Sequence, residues 1–214
     1  MARTTNKTTG KTTLRTSSSS NGMVKKKLNG ATNGSATRTS RKATSHVTLQ
    51  DLFEEELRDI YNAEKQLVEA LPEMALAAYN EDLQDALSKH LHETKRQMER
   101  IEKIFERLDI NTHEEVTCQA MKGLIRENEQ IMDEYERSPV RDSALIIGVQ
   151  KIEHYEIAAY GSLCELADVL GFMKIVDTLE RSLREEEDTD RRLTSIAQDV
   201  NDEAYEMSHE KEMV

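Results

Sequence analysis

The sequence predicts an all-α protein organised as a four-helix bundle with one extra helix and a basic arm before it. Three observations lead to this fold class. Leu, Ala, Glu, Lys and Arg are abundant, whereas the 214 residues include only eight Gly and two Pro. From Val47 onward, apolar residues recur at intervals of three and four, which is the helical period. No segment alternates with period two, so a β-sheet is not expected.

The folded part is expected over residues 47–200 and contains four long helices and one shorter helix. The long helices are predicted at about 48–79, 81–108, 142–170 and 172–200. Each would be about 40 Å long, which is the scale of bundle helices. The shorter helix, at about 113–137, would form an elaborated crossover between the second and third long helices. The polar residues 201–214 are expected to be a frayed tail.

Individual residues mark the helix ends. Thr48 and Asp51 have the spacing of a near capping box at the start of the first helix. Pro72 is expected to bend or restart that helix. Gly171 is a natural C-terminal cap between the last two helices.

The charge divides the chain near residue 50. Residues 1–50 contain ten basic and no acidic side chains, whereas the other 164 residues contain 19 basic and 41 acidic ones. We predict that residues 1–46 form a disordered basic arm, because they lack the apolar residues that offset ordering entropy. Such an arm suits non-specific contact with nucleic acid through phosphates. A solubilising tail and a targeting peptide are the alternatives.

Several polar residues fall on the apolar stripes of the long helices. In chain order they are Glu64, then His90, Glu93 and Gln97, then Glu153 and Glu156, and finally Glu186 and Asp190. A buried, unpaired carboxylate costs several kcal/mol, which is large beside a total stability of about 5–15 kcal/mol. Acids that face one another inside a bundle therefore need protons, basic partners or cations.

A pair of divalent ions would satisfy these acids together, because carboxylates can bridge two ions about 3.5–4 Å apart. Oxygen donors with few nitrogens favour iron or manganese over structural zinc. The predicted ligands are all of these residues except His90, which we expect to support the ligands by hydrogen bonding. The alternative is that Arg96, Arg100 or Lys151 pairs with the acids in ordinary surface networks. Cys118 and Cys164 have no flanking ligands and are expected to be core thiols.

Four segments resemble the YciE/YciF family of bacterial ferritin-like proteins. They are DLFEEELRDIYNAEKQLVEALP (51–72), KHLHETKRQMERIEKIFERL (89–108), KIEHYEIAAYGSLCELADVLG (151–171) and LREEEDTDRRLTSIA (183–197). The resemblance covers about residues 48–198. It implies a ferritin-like bundle, dimers, a di-metal centre and a link to the stress response.

The motif departs from the ferritin-like pattern, in which two helices each supply a Glu and the other two each supply Glu-x-x-His. Three residues after Glu93 stands Arg96, and three after Glu186 stands Thr189. Gln97 and Asp190 follow one residue later. An oxygen-rich site of this kind favours manganese or weak binding over ferroxidase chemistry.

The expected function is that of a cytoplasmic, stress-related protein that holds two iron or manganese ions and oxidises ferrous iron or consumes peroxide. Catalysis would make it an oxidoreductase. Two other functions stay open: a non-catalytic homodimer or scaffold with a vestigial site, and a DNA-associated protector that uses the basic arm. A membrane partner is not expected, since no apolar run approaches 18 residues. Two cysteines are too few for a disulfide framework, which favours a reducing compartment.

Overall fold

The computed structural model describes residues 47–111 and 116–212. Within these ranges the chain forms helices and no strand, which confirms the predicted all-α fold. The helices are α1 (Leu49–Ala77), α2 (Glu81–Leu108), α3 (Gln119–Glu134), α4 (Pro139–Val169) and α5 (Met173–Glu212). The predicted disordered arm, residues 1–46, lies outside the described residues.

Four of the helices form a closed ring of neighbours. Helix α1 packs on α2, α2 on α5, α5 on α4, and α4 on α1, with the most extensive contact between α4 and α5. Helix α3 lies against both α1 and α4 and covers that side of the ring. This arrangement is the predicted four-helix bundle with an extra crossover helix.

Two predicted helix ends are confirmed in atomic detail. At the start of α1, Thr48 Oγ1 accepts from the Asp51 N–H at 3.1 Å, and Asp51 Oδ2 accepts from the Thr48 N–H at 2.8 Å. This reciprocal pair is a capping box. At the end of α4, Gly171 has φ 77°. The N–H groups of Gly171 and Phe172 donate to carbonyls of the last helical turn, each at 2.9 Å, as in a Schellman motif.

Two boundaries near prolines differ from the prediction. Helix α1 does not restart at Pro72, which lies inside one helix from Leu49 to Ala77. Pro72 is exposed, so water can serve the carbonyl that loses its backbone donor. Helix α4 begins at Pro139 and not at Asp142, because Ser138 caps it and proline is tolerated in the first turn.

The crossover helix and the last helix also differ in length from the prediction. Helix α3 spans Gln119–Glu134 and is shorter than the predicted 113–137, with the Cys118 side chain at its N-cap. Helix α5 continues to Glu212, so the predicted end at about residue 200 is wrong. The segment 201–212 contains no Gly or Pro and several strong helix formers, and nothing in it stops the helix.

The bundle core consists of the apolar stripe residues. The fully buried large side chains include Phe53, Leu57, Leu67, Ile101 and Leu145. Of the predicted stripe on α1, Leu52 is exposed. None of the described helices is both long and apolar enough to cross a membrane.

An end clamp, formed by Arg137, Arg141 and Asp142, holds the α1–α2 turn against α4. Asp142 is fully buried, and its Oδ1 and Oδ2 accept from the N–H groups of Tyr79 at 2.9 Å and Asn80 at 2.6 Å. Arg137 Nη2 donates to the Ala78 carbonyl at 2.8 Å, and Arg141 donates to the Ala77 carbonyl. The clamp therefore ties the first helix pair to α4 at one end of the bundle.

Candidate metal centre

Four helices bring buried carboxyl groups and one imidazole together inside the bundle. This buried cluster consists of Glu64 on α1, His90 on α2, Glu153 and Glu156 on α4, and Glu186 on α5. All five side chains are fully shielded from solvent. Glu153 and Glu156 share one face of α4 because they are three residues apart. One donor atom from each of the cluster residues other than Glu64 lies within 4.8 Å of the other three.

His90 occupies the centre of this group. Its Nε2 lies 3.2 Å from Glu153 Oε1 and 3.9 Å from Glu156 Oε2, and its Nδ1 lies 3.8 Å from Glu186 Oε2. Burial and the nearby charge of Lys89 lower the pKa of His90 to about 4. The imidazole is therefore neutral near pH 7 and offers a lone pair to the cluster instead of a positive charge.

Two acids of the cluster are oriented by neutral side chains. The Tyr160 hydroxyl, which is fully buried, donates a hydrogen bond to Glu64 Oε1. Gln97 Nε2 donates to Glu186 Oε1. These bonds hold one oxygen of each carboxyl group and leave Oε2 of both without a partner.

Burial raises the pKa of every carboxyl group in the cluster. Desolvation is the largest cause for Glu64, Glu153 and Glu156, followed in each case by the charge of Glu186. The pKa of Glu186 is raised to about 8, again mainly by burial. The cluster therefore holds protons near neutral pH unless a cation replaces them.

Unpartnered donor atoms are concentrated in the cluster. Among the described residues, both nitrogens of His90 and both oxygens of Glu153 and of Glu156 are buried without a hydrogen-bond partner. Native structures leave few buried polar atoms in this state, and coordination of an ion is one role of such a group. A set of carboxylate oxygens with one imidazole nitrogen suits a transition metal. The cluster could therefore hold a metal ion.

Glu93, a predicted ligand, lies at the boundary between the cluster and the surface. Its Oε1 pairs with Lys89 Nζ at 2.7 Å and lies 3.7 Å from an Arg96 nitrogen. Its Oε2 is buried and has no partner. Glu93 thus has a basic partner on one oxygen, as the surface-network alternative requires, and a free donor on the other.

An ion pair with Arg100 closes the surface next to Glu93. Arg100 donates two hydrogen bonds to Glu185, at 2.5 and 2.7 Å, and one to Ser182 at 3.2 Å. Gln97 Nε2 also lies 3.3 Å from Glu185 Oε2. Arg96 and Arg100 therefore neutralise Glu93 and Glu185. Among the described residues, no Lys or Arg side chain lies within ion-pair distance of the four buried acids of the cluster. Lys151, the third basic residue that the sequence offered as a partner for the acids, pairs with Glu127 at 2.7 Å.

Asp190, another predicted ligand, is not brought into the cluster. Its Oδ1 accepts from Gln150 Nε2 at 3.0 Å and lies 3.3 Å from His154 Nε2 on the outer side of α4. Asp190 is one helical turn beyond Glu186, and the packing of α5 on α4 directs it toward the surface. Asp190 is therefore half-buried between the cluster and the surface, and its role as a metal ligand stays a prediction.

His90, predicted to support the ligands, lies inside the cluster. The sequence places it on the inward stripe three residues before Glu93, but in the reverse order of the Glu-x-x-His motif, and we expected it only to support the ligands. In the structure it approaches three carboxyl groups. Its stripe position was the signal that could have included it.

Comparison with known proteins gives the family of this fold and site. Residues 48–206 match the family described as domain of unknown function DUF892. YciF of Escherichia coli K12 is 45% identical over 150 residues, which span 70% of this chain and 90% of that protein. The crystal structure of the E. coli stress protein YciF matches with a TM-score of 0.70 at 43% identity, over 73% of this chain and 99% of that chain.

Two further solved structures share the fold. YcfI of Rhodopseudomonas palustris matches with a TM-score of 0.67 at 40% identity, over 72% of this chain and 96% of that chain. A Xanthomonas campestris protein matches with a TM-score of 0.56 at 20% identity, over 75% of this chain and 98% of that chain, which shows the fold alone. The family match covers most of the chain and includes every residue of the buried cluster. The chain therefore belongs to the DUF892 family, the family of YciF.

Proposed function

We propose that this protein is a ferritin-like metal protein whose buried cluster binds two divalent ions, iron or manganese. The observation that carries the proposal is a charge balance inside the bundle. Glu64, Glu153, Glu156 and Glu186 are four fully buried acids, and the imidazole beside them is neutral. Two divalent cations would neutralise four carboxylates, whereas with one cation two of the buried acids would have to keep their protons.

The ligand roles follow from which atoms are free. His90 and the two acids of α4 would supply most of the donors, because none of their polar side-chain atoms has a hydrogen-bond partner. Glu64 and Glu186 would each supply their free Oε2. Tyr160 and Gln97 would position these two carboxyl groups by holding the other oxygen. Glu93 would add its free Oε2 from the edge of the site.

The surrounding chain determines the conditions for chemistry. Bound iron or manganese would supply one-electron redox chemistry toward dioxygen or peroxide. The bundle shields every cluster side chain from solvent, which strengthens electrostatic interactions inside it. The carboxyl groups, whose pKa values are raised, would release protons to solvent as cations bind. Oxidation of ferrous iron or consumption of peroxide is the activity that suits this set.

The biological setting of the proposal comes from a relative. The E. coli protein that matches over most of this chain is described as a stress protein. A role in the stress response is consistent with removal of ferrous iron or peroxide, and we extend that role to this chain as part of the proposal.

Metal content tests the proposal directly. Protein purified without chelator and loaded with Mn²⁺ or anaerobic Fe²⁺ should bind about two ions per chain after desalting. The double variant Glu64→Gln with Glu186→Gln should retain well under half of that amount, because it removes two of the four acids. Absorption after air is added to the Fe²⁺ form then reports whether iron is oxidised.

A matched control comes from the same helix. Glu187→Gln changes an acid next to Glu186 that is 43% exposed and pairs with Arg191, and it should leave metal content unchanged. A wild-type content below about 0.2 ions per chain, with the same value for the double variant and for the control variant, would contradict the two-ion site.

A further inference from the structure

A cation can reach the buried cluster only by passing between two helices, because every cluster side chain is fully shielded. We use seam for the line of contact between two neighbouring helices of the ring. The four seams are α1–α2, α2–α5, α4–α5 and α1–α4. Helix α3 lies over the α1–α4 seam. The three remaining seams differ in charge.

The α2–α5 seam carries an excess of positive side chains. Lys89, Arg96 and Arg100 lie along it and pair with only two acids, Glu93 and Glu185. A divalent cation that approaches this seam meets three positive charges, and the two acids there each pair with at least one of them, with Glu93 Oε2 left unpartnered. Electrostatic repulsion therefore disfavours this route.

The α1–α2 seam is apolar next to the cluster. Ala63 and Leu67 flank Glu64 in the sequence of α1 and are fully buried, as is Ile101 on α2. Apolar side chains offer no ligand that could replace the water molecules of a hydrated cation. Glu102 also lies on this seam, where it accepts a hydrogen bond from the Tyr61 hydroxyl at 2.8 Å. The fully buried residues beside Glu64 offer no further ligand to a divalent ion.

The α4–α5 seam has polar side chains of graded exposure that lead inward. His154 is 69% exposed and Asp190 22% exposed, with 3.3 Å between His154 Nε2 and Asp190 Oδ1. Glu153 precedes His154 in α4, and Glu186 lies one helical turn before Asp190 in α5. Both of these inner acids are fully buried with unpartnered oxygens. The charge of Asp190 also acts on Glu153, where it raises the pKa of that carboxyl group after the larger effects of burial and Glu186.

Two basic side chains that are close in sequence to Glu153 and Asp190 are engaged elsewhere. Lys151 pairs with Glu127, and Arg191 pairs with Asp188 and Glu187. Gln150 Nε2 donates to Asp190 Oδ1 at 3.0 Å and lies 2.9 Å from Thr194 Oγ1. No Lys or Arg among the described residues forms an ion pair with Asp190, whose Oδ1 lies beside the His154 imidazole near the surface.

We propose that Asp190 and His154 form an outer binding step for divalent transition-metal ions, through which these ions pass along the α4–α5 seam to the buried cluster. The proposal rests on the two-ion site proposed above. A carboxylate and an imidazole near the surface can exchange for some of the ion's water molecules before the ion moves to Glu153 and Glu186. The predicted role of Asp190 thus changes from ligand of the centre to ligand of the route.

The rate of Co²⁺ uptake by the metal-free, full-length protein tests this role. Stopped-flow absorption would follow the visible band of bound Co²⁺, and equilibrium titration would give the final stoichiometry. Asp190→Asn should slow uptake about tenfold, because it removes the one formal charge of the outer step. His154→Gln should slow it less. The final number of ions per chain should equal that of the wild type in both variants.

Asp188→Asn is the matched control, since Asp188 is an exposed acid on the same helix that pairs with Arg191. It should change the rate less than twofold. Equal rates for Asp190→Asn and Asp188→Asn would overturn the route while leaving the two-ion site intact. A lower final stoichiometry in Asp190→Asn would also overturn it, because Asp190 would then be a ligand of the centre. If the wild type bound no Co²⁺, the two-ion site itself would fail.

Discussion

Two buried polar regions of this bundle have opposite states. In the end clamp, Asp142 is fully buried and both of its oxygens accept backbone N–H groups. In the buried cluster, Glu153 and Glu156 are equally buried, and none of their four oxygens has a partner. Backbone N–H groups of the chain therefore bind the buried carboxylate in the end clamp, whereas the buried carboxyl groups of the cluster lack such donors.

The difference separates a structural role from a functional one. Burial of a carboxyl group is tolerated when hydrogen bonds replace its hydration, and Asp142 meets that condition with groups of the α1–α2 turn. The cluster acids lack such replacement in the chain itself, and their raised pKa values express the cost. Buried carboxyl groups with perturbed pKa values are typical of functional sites, and a bound cation would supply the partner that the cluster acids lack.

The largest effect is expected from Asp142→Asn. The amide keeps the volume, but its NH₂ group cannot accept a hydrogen bond, so the backbone N–H of Tyr79 or Asn80 loses its acceptor. Stability should fall by about 3 kcal/mol, equally with and without metal. Urea unfolding in the presence of EDTA and of Mn²⁺ measures both values. Asp168→Asn, an exposed acid on the same helix, is the control and should change stability by less than about 0.5 kcal/mol.

The same acid-to-amide change in the cluster should have the opposite sign. In metal-free protein at pH 8, Glu156→Gln should raise stability by about 2 kcal/mol, because it removes an acid whose ionisation is suppressed by burial. With Mn²⁺ present the variant should be less stable than the wild type, since a ligand is lost. Glu165→Gln, at an exposed position of α4, is the control. Destabilisation of the metal-free protein by Glu156→Gln would show that the carboxyl group has a structural role.

The smallest expected effect, per carboxyl group and per pH unit, is the pH dependence of the stability of the metal-free protein. A carboxyl group whose folded pKa is raised stabilises the fold fully below its unfolded pKa, and this contribution is lost as pH rises through the folded pKa. For Glu186 this window runs from about 4.5 to about 8. His90, with a pKa lowered to about 4, opposes this slope only below about 6.5. Stability should therefore fall between pH 6.5 and 8 by up to about 1.4 kcal/mol per pH unit for each such carboxyl group.

Saturating Mn²⁺ should reverse that slope, because metal binding displaces protons and strengthens as pH rises. Thermal unfolding at several pH values, with EDTA or Mn²⁺, makes the comparison. Stability of the metal-free protein that rises across pH 6.5–8 would mean that the cluster acids are already ionised and paired in the folded chain.

Helical periodicity was sufficient to place most of the site. Glu64, Glu153, Glu156 and Glu186 were predicted inward from the spacing of their apolar neighbours, and all four are fully buried. Periodicity was insufficient to place Asp190. The apolar stripe of a helix covers a wide arc, and a residue at the edge of that arc can face either the core or a seam. Only the packing of α4 on α5 decides between these two faces.

The partner of each polar group could not be predicted from one helix. Glu93 and His90 lie one turn apart on the same stripe of α2, yet Glu93 pairs with Lys89 while His90 approaches acids of α4 and α5. The contacts of His90 are long-range in sequence, and local spacing carries no information about them. The end clamp was missed for the same reason.

The sequence by itself determined the helical fold, the approximate bounds of α1, α2 and α4, and the inward position of the four fully buried acids of the cluster. These properties depend on local periodicity, capping residues and composition, all of which act within one helix. The tertiary structure alone decided that the imidazole lies among the carboxyl groups, that Asp190 lies at a seam, and that Asp142 is satisfied while Glu153 is not. Such distinctions depend on atoms from different helices within a few ångströms of one another, and only the packed bundle brings those atoms together.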